Sequence, residues 1–132
     1  MKLLRSALYA QAMVWAASGL VIAALPRWVL VDVFDQPPHP YYAYVRVAGV
    51  LALGMALLMV LVAQRLEDVW WWSWSFIITT AGLVTVAGLR AIVGHPSGSA
   101  IVLWIIFAGA NAILLAAMLL GMAKAAQEKP FA

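Results

Sequence analysis

Charge is placed so unevenly along this chain that the gaps between charged residues decide what it can fold into. Arg5 and Arg27 are separated by 21 uncharged residues (6–26), Arg46 and Arg65 by 18 (47–64), and Asp68 and Arg90 by 21 (69–89). At about 1.5 Å per residue, helices over these runs reach roughly 27–32 Å, the thickness of a bilayer's hydrocarbon core. A fourth gap of 33 residues (91–123) opens with the turn formers Gly94-His95-Pro96-Ser97-Gly98-Ser99, so it holds one span rather than two. Lipid offers the backbone no hydrogen-bond partners, and no period-two alternation points to a membrane barrel, so the spans must be helices.

These runs predict an all-α integral membrane protein. Its architecture is a four-helix transmembrane bundle, one domain over 1–132, with helices at about 4–25, 42–64, 70–90 and 99–125. Lys2 and Arg5 before an apolar run imitate a signal peptide. The apolar core is long for one, however, and Ala23-Ala24-Leu25-Pro26-Arg27 is a poor cleavage site, so the run is read as the first span. Composition agrees: 67% of residues are apolar and 10% charged, against roughly 45–50% and about 25% in soluble domains. The 132 residues leave no room for a separate water-soluble catalytic domain. With no cysteine, disulfides, thiolate metal sites and cysteine nucleophiles are excluded. The net charge of +3 comes from scattered rather than clustered Lys and Arg, so no nucleic-acid partner is expected.

Four spans put both termini on one side. Lys2, Arg5, Arg65, Lys124 and Lys129 fall on that terminal side and Arg27, Arg46 and Arg90 on the other, which predicts cytoplasmic termini in a multi-pass protein of the plasma (inner) membrane. Two aromatic groups mark the interfaces. Trp70, Trp71, Trp72 and Trp74 gather on the terminal side, as an interfacial belt or a partner-docking edge; Trp28, Tyr41, Tyr42, Tyr44 and Trp104 gather opposite.

Helices in lipid associate through close approach and polar contacts, so small residues should mark the seams. Ala48, Ala52 and Ala56 repeat every four residues in the second span, and Ala108, Ala112 and Ala116 in the fourth. Ala12 with Ala16 and Gly19 with Ala23 do so in the first, and Ala81 with Thr85 in the third. The connection at 26–41 alternates Arg27, Asp32 and Asp35 with Trp28, Leu30, Val33 and Phe34, which predicts a short interfacial helix before Pro37-Pro38-His39-Pro40.

Few residues offer chemistry. Arg46 lies about one turn inside the second span and either snorkels to the interface or pairs with Asp32 or Asp35. Ser18, Thr80 and Asn111 each lie roughly 17–18 Å along their spans, a mid-membrane polar layer that serves as interhelical glue or as a polar substrate site. His39 and His95 have neither metal-ligand spacing nor the membrane depth for haem ligation, so no metal or cofactor is expected. No Asp or Glu lies within a span, and no phosphate-binding, dinucleotide or nucleophile-elbow motif is present, so no catalytic residue is assigned.

Arg46-x-x-Gly49 followed by Gly54, within four spans and about 130 residues, resembles the DoxX-like group of small bacterial four-helix membrane proteins. The resemblance covers the overall layout and these few positions. It highlights Arg46 and Gly49 and implies an accessory membrane role. The expected function is therefore a non-catalytic membrane protein, contacting lipid and either other membrane subunits or further copies of itself. The alternative is a small transport or lipophile-binding protein for a lipid or quinone, with the polar layer as its site.

Overall fold

A computed structural model describes residues 1–94 and 96–129. Its elements are α1 (Lys2–Ala24), a π-helical turn (Trp28–Val33), α2 (Ala43–Gln64), the short α3 (Leu66–Val69), a 3-10 turn (Trp70–Trp72), α4 (Ser73–Ile92), a second 3-10 turn (Gly98–Ala100) and α5 (Ile101–Glu128). Four helical stretches, Lys2–Ala24, Ala43–Gln64, Leu66–Ile92 and Gly98–Glu128, are long and apolar enough to cross a membrane, and the described residues contain no strand. The chain is an all-helical membrane protein. Each span lies within four residues of its sequence-based limits, because both are set by where charge and proline forbid a lipid-embedded helix from continuing. The interfacial segment is shorter than a regular helix. Phe34 N–H reaches back five residues to Val29 C=O (3.1 Å), which makes a π turn.

Consecutive spans pack as two antiparallel hairpins, α1 with α2 and α4 with α5, and the hairpins meet through α1 and α5. Helices α2 and α4 barely touch. Two glycine contacts put α1 at the centre. A Cβ on Gly19 would stand 2.6 Å from the Gly49 carbonyl oxygen, and a Cβ on Gly49 would stand 2.6 Å from the Gly19 carbonyl oxygen and 2.8 Å from Ala23 N. On the other flank, a Cβ on Gly121 of α5 would lie 2.8 Å from Leu4 Cα. Backbone meets backbone at both places, as helix pairs in lipid require. The seams use Gly19, Ala23, Gly49 and Ala52 as close-packing residues, but Ala48, Ala112 and Ala116 are exposed. In α5 the buried row instead runs through Asn111, Met118, Gly121, Met122 and Ala125.

The core is confined to one half of the molecule. It comprises the first part of α1 (Met1 to Trp15), the last part of α2 (Ala56 to Ala63), Leu66, Trp70, Phe76 and Ile77, and the last part of α5 (Met118 to Ala125). All of these lie toward the end where the chain termini gather. Along one face of α1, positions seven apart pass from Leu4 and Gln11, both 0% exposed, to Ser18, which is exposed. In the distal half Gly49 still meets α1, and Ala87 of α4 is buried. The two hairpins therefore close tightly at the terminal end and leave a wedge between them at the distal end.

The terminal end is stitched by charge. Glu67, in α3, takes Arg5 Nη2 at 3.5 Å and Lys129 Nζ at 3.2 Å, and the Met1 amine meets Glu128 at 2.6 Å. The two Glu67 pairs are exposed and contribute about 0–1 kcal/mol each, and with the partly buried Met1 pair they fix the register of helix ends already held by the core.

The glycine seam is testable in detergent by thermal unfolding. Gly19→Ala and Gly49→Ala should each destabilise the protein by about 1–3 kcal/mol through overpacking. Gly54→Ala, where a Cβ meets nothing within 4 Å, should be neutral or stabilising by up to about 1 kcal/mol. Equal effects at all three positions would refute the close approach.

Candidate functional site

Besides the charges at the terminal end, two places bring together polar side chains that could form a site. The first is buried at the floor of the wedge. Gln11 of α1 and Thr80 of α4, both fully buried, meet across the bundle: Gln11 Nε2 donates to Thr80 Oγ1 at 2.5 Å, and Thr80 Oγ1 donates to Phe76 C=O at 2.7 Å. Asn111, 6% exposed, donates from Nδ2 to Phe107 C=O one turn back in α5. Taking Leu4 and Gly121 as level in the antiparallel pair, Asn111 lies about 4–5 Å farther from the terminal end than Gln11. The Gln11 Oε1, Asn111 Oδ1, Ser73 Oγ and Trp104 Nε1 atoms are buried without a hydrogen-bond partner among the described residues.

The expected layer of Ser18, Thr80 and Asn111 is thus rearranged. Thr80 and Asn111 face inward, but Ser18 is exposed on the wall of the wedge, about 10 Å along α1 beyond Gln11. The hairpins have diverged by that level, so Ser18 joins neither. Gln11 takes its place. It is one heptad before Ser18 on the same face of α1, and a glutamine within an apolar span was the signal for it.

The second place is a cleft at the distal end, of about 580 Å³, where the end of α1, the π turn and the start of α2 converge. Pro26, Arg27, Trp28, Asp32, Tyr42 and Arg46 line it. Pro26 has no N–H to return to α1, so the helix stops at Ala24. The carbonyls of its last turn are met from α2, where Arg46 Nη1 donates to Ala23 C=O at 2.7 Å and to Ala24 C=O at 3.4 Å. A cation at a helix C-terminus also opposes the negative end of the helix dipole. This contact corrects the expected ion pair: Arg46 pairs with neither Asp32 nor Asp35 among the described residues. Asp32 lines the same cleft without an ion-pair partner there, while Asp35, in the left-handed region at φ 52°, accepts a hydrogen bond from Ser99 Oγ at 2.6 Å. Gln36 Nε2 donates to Ala100 C=O at 2.7 Å. These two bonds tie the loop after α1 to the start of α5, across the distal mouth of the wedge.

The tryptophan group divides. Trp71, Trp72 and Trp74 are exposed, with the first two rings edge to face at 5.8 Å, but Trp70 is buried. The 3-10 turn directs Trp70 into the terminal core while its neighbours face outward. Opposite, the Arg90 guanidinium lies 5.9 Å from the centre of the Trp104 ring, within cation–π range. His39 Nδ1 accepts the Tyr41 N–H within its own loop, and His95 lies outside the described residues. Among the described residues, no three His, Asp or Glu side chains cluster as metal ligands would.

No protein-family profile matches the chain, and neither a characterised protein nor a solved structure is significantly similar to it.

Double-mutant unfolding tests the interior contact. Gln11→Leu and Thr80→Val should each destabilise the bundle, with a coupling energy of about 0.6–2 kcal/mol between them. At the cleft, Arg46→Ala should destabilise whether or not Asp32 is also changed to Ala. Recovery of stability in the Arg46→Ala, Asp32→Ala double variant would instead reveal an ion pair.

Proposed function

We propose that the protein is a non-catalytic membrane subunit whose distal wedge seats a transmembrane helix, from a larger membrane complex or from a second copy of this chain. The observation that carries the reading is the α1 face through Leu4, Gln11 and Ser18, which is buried at one end and uncovered at the other. Helices splay in this way when a partner completes the packing that the chain begins. The interior polar groups fit the same reading, since Gln11 and Thr80 bond to each other across the helices and Asn111 bonds to its own helix. The resemblance of Arg46-x-x-Gly49 and Gly54 to DoxX-like proteins points the same way, toward an accessory role. In this reading the protein sits in the plasma membrane with both termini cytoplasmic, following the excess of Lys and Arg on the terminal side.

The rival reading, lipophile binding, places a lipid or quinone in the wedge. The buried Trp104 Nε1 and Asn111 Oδ1, which lack partners, favour it to the extent that a ligand carbonyl or hydroxyl could reach them.

Site-directed photocrosslinking in native membranes separates the two. The chain has no cysteine, so a single cysteine-linked photoprobe can be placed cleanly. A probe at Ser18 should yield a discrete protein adduct, while one at Ile113, on the exposed side of α5, should yield mainly lipid. Lipid adducts alone at both positions would reject the subunit reading and leave the lipophile one.

A further inference from the structure

From the distal cleft we infer a binding site for the phosphate of an anionic phospholipid headgroup. This inference is independent of what occupies the wedge. The cleft brings Arg27, Arg46 and Asp32 together at the end of a membrane-spanning helix, at the depth of the headgroups, with Trp28 and Tyr42 beside them. Arg46 uses only Nη1 to cap α1; its Nε and Nη2 have no partner among the described residues, and neither does the Arg27 guanidinium. Two arginines and one carboxylate, Asp32, line the same cleft, and among the described residues no ion pair joins them. By formal charge the cleft holds two cations against one anion; the α1 C-terminus takes part of the Arg46 charge, while Arg27 and the remaining Arg46 N–H groups are planar donors of the kind that take phosphate oxygens in pairs. Its volume of about 580 Å³ lies in the range of about 300–1,000 Å³ that encloses small ligands.

The ion-pair-free carboxylate gives the proposal its sign. Asp32 opposes an anion in the cleft, so removing its charge must strengthen binding, whereas removing either arginine must weaken it. A merely structural cleft shows no such opposition. The lipid's acyl chains would leave along the apolar flank of α1 and α2, whose meeting face carries a groove lined by Met13, Ala16, Leu53 and Leu57.

The full chain, purified in mild detergent and titrated with phosphatidylglycerol or phosphatidylcholine, can be followed by native mass spectrometry. One phosphatidylglycerol should bind in preference to phosphatidylcholine. Arg27→Gln and Arg46→Gln should each weaken it about fivefold or more, and Asp32→Asn should tighten it. Arg46→Gln also removes the α1 cap, so Arg27→Gln, which breaks no hydrogen bond, decides the matter if that variant unfolds. Equal binding of the two lipids, or retention of phosphatidylglycerol by Arg27→Gln, would overturn the site. Displacement of the lipid by millimolar inorganic phosphate would overturn the lipid source and leave a free anion as the ligand.

Discussion

Helix α1 can be central only because glycine lets two neighbours reach its backbone. Hydrocarbon surrounds these helices whether or not they associate, so burying apolar surface gives no net drive; contact distance and polar bonds must hold them. At Gly19 and Gly49 the α1 and α2 backbones come within the reach of a single missing methyl, and at Gly121 α5 does the same on the opposite flank at Leu4. These contacts are at different heights. The α2 contact lies in the distal half and the α5 contact at the terminal end, so α1 is clasped high on one side and low on the other. The wedge follows from that offset: α2 still meets α1 in its distal half, while the close backbone contact of α5 with α1 lies low down and its distal ties run only to the loop.

Polar contacts reinforce the same division. Gln11 and Thr80 join α1 to α4 below the level where the hairpins part, and one heptad beyond Gln11 on that face of α1, Ser18 is exposed. At the terminal end Glu67 gathers Arg5 and Lys129, and at the distal end the ties from Asp35 and Gln36 to Ser99 and Ala100 span the gap. The molecule is thus held at both ends by polar bonds in the interfacial zones, and in between by backbone proximity.

Much of this architecture was legible in the sequence, and the reason is specific. Arg5, Arg27, Arg46, Arg65, Asp68 and Arg90 cannot sit in mid-bilayer, so their spacing marks the span limits directly. Relative packing was less legible, because alanine is so abundant that Ala112 and Ala116 carry the same four-residue spacing as true contacts although they are exposed. Arg46 was recognisable as a residue in need of partners, but not that backbone carbonyls would supply them: Pro26 leaves the last turn of α1 open 20 positions away, which no local pattern reveals. Trp70 shows a similar limit, since four tryptophans in a run of five look equivalent until a 3-10 turn sends one of them inward. The Glu67 cluster joins residues 62 positions apart and has no local signature at all.

The placement of the core has a mechanical corollary. With packing concentrated near the chain termini, the α4–α5 hairpin is a lever whose pivot lies at one membrane face. Over the roughly 20 Å from the pivot to the far interface, a rotation of about 5° displaces the far end by about 2 Å. Two hydrogen bonds, one from Ser99 and one from Gln36, resist that displacement. Whatever acts on the loop between α1 and α2, at the surface of one leaflet, therefore acts with full leverage on the width of the gap inside the membrane.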